Sequence, residues 1–159
     1  KAAPLLAGDD VLLFHGDLVL ETGVLRELAE CMRSSVAVDA TLPLPQKDFK
    51  AKIEQGRVVA VGVNLFGPDC EACQPAYFWK SADFSRWLAA METLVNRGET
   101  GVYAENAFDE LHGELPLYPL ELHGRLCAEI DNPDDLAAVG ERFLRTLPPE
   151  AHTKGRTNL

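Results

Sequence analysis

Apolar positions along this chain alternate between short unbroken runs and helical stripes. That is the pattern of an α/β domain, in which buried strands take turns with amphipathic helices. Val11-Leu12-Leu13-Phe14 is an unbroken apolar run, as expected of a buried parallel strand. From Glu21 to Arg33, Val24, Leu25, Leu28, Ala29 and Met32 recur at helical spacing. Ser35 to Ala40 reads as a second buried strand. Residues 48–53 and 58–63 flank Gln55-Gly56 as the arms of a hairpin, and the aromatic stretch 75–80 reads as a further strand. A second stripe, Phe84, Trp87, Leu88, Met91, Leu94 and Val95, predicts a helix over 84–96 that stops near Gly98. Residues 104–111 predict a shorter helix, and 117–122 and 125–130 predict strands around His123-Gly124. Asn132 as cap and Pro133 as first helical residue open the last helix. Residues 2–7 read as the end of a helix, and 148–159 have no apolar period and read as a disordered tail. The expected fold is α/β, a mixed, mostly parallel sheet flanked by helices, in one domain over residues 1–147.

Composition narrows the partners. The chain has 159 residues, 47% of them hydrophobic, enough for one core. No apolar run approaches the roughly 18 residues of a membrane span. A formal charge of −10 argues against nucleic acid, whose phosphates call for clustered Lys and Arg. The first residues lack the anatomy of a signal peptide, which points to the cytoplasm. The four cysteines form no disulfide framework. Cys70 and Cys73 have the spacing of a zinc or redox pair, but no second pair or nearby histidine accompanies them, which favours reduced thiols.

The candidate chemistry is acidic. Asp17 follows Gly16 just beyond the first strand, where open α/β sheets place their ligands. Glu129 and Asp131 fall at the end of a later strand and, two residues apart, face one side. Carboxylates brought together from two distant segments suit a hard cation such as Mg²⁺. The competing role for Asp17 is to cap a turn, and for Asp131 to belong to the helix start at Asn132-Pro133. Asp134 and Asp135 sit in the first helical turn, facing the helix dipole. His15, ending a strand, reads as structural.

Taken in order, Phe14-His15-Gly16-Asp17, Phe49-Lys50-Ala51, Gly56-Arg57-Val58, Tyr77 to Lys80, Tyr103-Ala104-Glu105 and Glu129-Ile130-Asp131-Asn132-Pro133-Asp134-Asp135-Leu136 resemble the landmarks of one family. It is the sugar-phosphate and phosphocholine type of nucleotidyltransferase, a GT-A-like α/β family, and the resemblance runs from Asp9 to Leu144. It implies that Asp17 and Asp131 are catalytic and, with Glu129, hold Mg²⁺. It implies that Lys50 faces phosphate and that Trp79, Tyr103 and Glu105 bind the acceptor, the aromatic rings by cation–π contact. The implied reaction joins a nucleoside triphosphate, CTP favoured, to phosphocholine, aminoethylphosphonate or a sugar phosphate, and releases pyrophosphate. A hexose-1-phosphate nucleotidyltransferase is the near alternative. The family's Gly-rich loop and Pro-Lys pair have no counterpart ahead of Asp17. The resemblance therefore covers a C-terminal part, expected to be inactive alone and to self-associate or pair with the missing N-terminal half. A non-catalytic fragment or assembly partner is the alternative from a different class.

Overall fold

The computed structural model describes residues 5–146 apart from 7 and 112. Its longest strand organises the rest. β6 (Cys70–Trp79) pairs along one edge with β3 (Ser35–Asp39), and along the other with β4 (Lys50–Glu54) and β1 (Val11–Phe14). β5 (Arg57–Gly62) closes one side by pairing with β4, and β7 (Tyr118–Glu121) the other by pairing with β3. The β4–β5 hairpin turns at Gln55-Gly56, both with positive φ (51° and 73°), the conformation a tight two-residue hairpin loop demands.

Alternation along the strands sorts side chains to two cores. Val36, Val38, Tyr77 and Trp79 face α2 (Ser81–Asn96) and α3 (Asn106–Asp109), packing with Phe84, Trp87 and Phe108. Ala37, Ala76 and Phe78 face the opposite way, onto Val24 and Leu28 of α1 (Thr22–Ala29). The expected mixed sheet flanked by helices is present. The expected balance of strand directions is not, because among the described pairings only β3 with β7 is parallel. An apolar run such as Val11 to Phe14 encodes neither strand direction nor position in the sheet: β1 runs antiparallel to β6, and only Val11 of it is fully buried.

A separate two-stranded ribbon joins the segments after Asp17 and up to Glu129. β2 (Leu18–Leu20) pairs with β8 (Cys127–Glu129) in antiparallel register, Leu18 opposite Glu129. Residues 117–122 and 125–130 are thus not neighbours, since β7 belongs to the main sheet and β8 to the ribbon. α4 (Pro133–Thr146) follows directly. The helix end read at 2–7 and the tail read at 148–159 lie outside the described residues, Leu5 and Leu6 excepted.

Candidate functional site

Where β1 stops, the His15 N–H donates to the Pro75 carbonyl (3.1 Å), keeping the chain on β6 for one more residue. Gly16 and Asp17 then turn into β2, and the Ile130 N–H donates to the Asp17 carbonyl (3.0 Å), extending the ribbon past its last register pair. His15, Asp17 and Glu129 consequently meet. One ligand atom from each lies within 4.8 Å of the other two. Gly16 has an ordinary φ and open space where a Cβ would stand, so it leaves this corner uncovered.

Behind these three runs a buried polar chain. His15 Nδ1 lies 3.2 Å from Glu129 Oε1, and its Nε2 lies 3.1 Å from Glu105 Oε1. The same Glu105 oxygen accepts the Tyr77 hydroxyl at 3.2 Å. Tyr77 is buried, and burial pushes its pKa well up, so it remains a donor. Glu105 is only 4% exposed, and its second oxygen is buried without a hydrogen-bond partner among the described residues. Burial raises the Glu129 carboxyl above its usual range; the His15 hydrogen bond opposes this, and the charges of Asp17 and Asp131 add to it.

The structure separates Asp131 from this meeting point. β8 ends at Glu129, so the rule that alternate strand residues share a face no longer governs Asp131. Its N–H donates to Asp135 Oδ2 (3.1 Å) in the turn that starts α4. Its side chain is exposed and lies outside the group of three, yet its charge raises both Glu129 and Asp48. Of the two, Glu129 is the residue that converges with Asp17.

The expected acceptor residues divide. Glu105 is beside His15 and opens onto a groove of about 810 Å³ lined also by Leu13, Phe84, Trp87 and Met91. Lys50 does not face a ligand phosphate. Its ammonium is fully buried, and all three of its donors are taken by the carbonyls of Pro45, Asp48 and Val63. Trp79 is core, stacked between Tyr77 (5.6 Å) and Trp87 (5.4 Å). Tyr103 is 56% exposed and packs on Phe49, whose other neighbour is His15. No aromatic box joining Trp79 and Tyr103 exists, because strand alternation aims Trp79 inward. Cys70 and Cys73, three apart on β6, point to opposite faces, which rules out a shared metal. His15, expected to be structural, is placed by the structure within reach of Asp17 and Glu129; its position before Gly-Asp at a strand end is the signal in the sequence.

The described fold matches solved structures. Over 92% of this chain it superposes on the inositol-1-phosphate CTP transferase from T. maritima, with 14% identity and a TM-score of 0.66. A putative glucose-1-phosphate thymidylyltransferase from Bacillus anthracis gives 92%, 12% and 0.67. The CTP:phosphocholine cytidylyltransferase of Streptococcus pneumoniae gives 88%, 20% and 0.62. No family sequence model and no curated protein sequence matches the chain. The likeness establishes a shared fold. The chain spans 61%, 59% and 59% of the lengths of these three proteins.

The donor set fits a divalent cation. Two carboxylates from separate elements supply hard oxygen ligands, and the imidazole supplies a nitrogen that binds divalent metals when neutral. The exposure of Asp17 leaves the site open on one side for water or substrate oxygens.

Proposed function

We propose that this chain carries part of the active site of a Mg²⁺-dependent nucleotidyltransferase, in which a phosphate or phosphonate of a small acceptor attacks the α-phosphorus of a nucleoside triphosphate and pyrophosphate leaves. The observation that carries this reading is the meeting of Asp17 and Glu129 at the ends of β1 and β8, on a fold shared with proteins of that activity. Asp17, Glu129 and His15 would hold the ion, with Asp131 adding negative charge from the neighbouring turn. The ion's chemistry is to neutralise phosphate charge as it redistributes. The acceptor phosphate is anionic near neutral pH and needs no side-chain base. What the chain's own groups contribute is position and charge, the main demands of phosphoryl-type transfer.

The acceptor would lie in the groove that Glu105 lines, where its carboxylate suits a hydroxyl or a cationic group. CTP with phosphocholine is the first pair to test. The burial of Trp79 removes half of the expected aromatic box and favours the second reading, a hydroxyl-rich sugar phosphate. Pyrophosphate release from the native protein, with CTP, UTP or dTTP against phosphocholine and glucose-1-phosphate, decides between them. Asp17→Asn and Glu129→Gln are expected to lower turnover at least roughly a hundredfold, since a lost metal ligand removes several kcal/mol of charge stabilisation. Parental rates in both variants would overturn the assignment.

A further inference from the structure

The imidazole of His15 is held at both nitrogens by carboxyl oxygens, and the two contacts are chemically unequal. Glu105 Oε1 already accepts the Tyr77 hydroxyl, so it meets His15 Nε2 as an acceptor and places the N–H there. A buried carboxylate fixing the far nitrogen of a histidine is the arrangement that aims metal-binding imidazoles. The near nitrogen, Nδ1, then turns its lone pair toward Glu129 Oε1, another acceptor, at 3.2 Å, with an Asp17 oxygen close by. With the N–H on Nε2, Nδ1 offers a lone pair within 4.8 Å of a carboxylate oxygen from each of Asp17 and Glu129, and a cation between them would satisfy all three. Separations near 3 Å are also what neighbouring ligands of one small dication show, given ligand distances of about 2.1 Å.

Resting on the nucleotidyltransferase reading above, we infer that His15 Nδ1 is a direct ligand of the ion and that the site takes a first-row transition dication more tightly than Mg²⁺. Mg²⁺ prefers oxygen alone, whereas imidazole suits the later first-row ions. Glu105 and Tyr77 are positioning residues that hold the ring.

Manganese is the probe. Mn²⁺ bound to the purified protein is examined by pulsed electron paramagnetic resonance for hyperfine coupling to a directly bonded nitrogen, and Mg²⁺ and Co²⁺ are titrated against it. The wild-type protein is expected to show the nitrogen coupling, to bind Co²⁺ ahead of Mn²⁺, and to release Mn²⁺ only to excess Mg²⁺. His15→Ala is expected to lose the coupling and to narrow the preference for Mn²⁺ over Mg²⁺ at least roughly tenfold, the low end of the cost of losing even an orienting partner. The wild-type spectrum decides the question even if that variant folds poorly. Bound Mn²⁺ without nitrogen coupling, combined with weaker binding in Asp17→Asn and Glu129→Gln, would overturn the histidine ligand and leave the metal site standing; His15 would then be a doubly protonated bridge. Mn²⁺ affinity unchanged in all three variants would overturn both.

Discussion

Glu71 and Glu121 face each other across neighbouring parts of the sheet, with Asp39 close by. Burial first, then the hydrogen bond and charge of Glu121, push the Glu71 carboxyl up to about 7. The folded protein therefore holds a proton that the unfolded chain releases near 4.5. Stability from this group is complete below about pH 4.5 and falls as pH rises toward about 7. Glu71→Gln should flatten that decline, seen as melting temperature against pH; parallel curves for variant and parent would refute it. At this scale the sequence was informative about residue type and blind to burial. Asp17 and Glu129 could be placed near strand ends from the sequence, and the structure brings them together with His15. For Lys50 and Trp79 the sequence leaves open which way each side chain faces, and that decides what each touches. Lys50 points inward onto three carbonyls, and Trp79 lies between Tyr77 and Trp87.

Local signals placed the elements well. Asn132 Oδ1 accepts the N–H groups of Asp134 (2.9 Å) and Asp135 (3.0 Å), and Asp135 Oδ2 accepts from Asn132 Nδ2 and the Asp131 N–H. This reciprocal cap satisfies donors at the start of α4. Asn132→Ala should cost about 1 kcal/mol, measured by urea unfolding. An unchanged midpoint would mean that Pro133 and the acidic first turn set the helix start unaided. The same cap takes the Asp131 N–H, so Asp131 belongs to the turn and not to β8. The Gln55-Gly56 hairpin, α2 and α4 were equally readable, since each depends on residues within a few positions. Strand direction and partner were not. β1 pairs with β6 across more than sixty positions of sequence, and no local pattern encodes such a choice. β2, only Leu18 to Leu20, was too short to show a period.

Across the whole molecule, β1 offers an open edge close to the groove that Leu13 and Glu105 line. β1 pairs with β6 alone among the described strands, Leu12 on it is 38% exposed, and Leu13 lines the adjoining groove. An unpaired strand edge beside apolar surface favours association. The charge of −10 works against it, because like-charged copies repel over about 10 Å in 0.1 M salt and farther in less. The two effects respond oppositely to ionic strength, which separates them. Sedimentation velocity on the purified chain should show average mass rising with protein concentration, and rising further as salt screens the repulsion. Leu12→Lys puts a charge on the edge strand, a common way of blunting such edges, and should return the protein toward monomer at each salt concentration. A parent chain that stays monomeric at every concentration and salt would show that the open edge of β1 is already protected. If association instead weakens with salt, charge pairing between copies drives it, and Leu12→Lys would leave it unchanged.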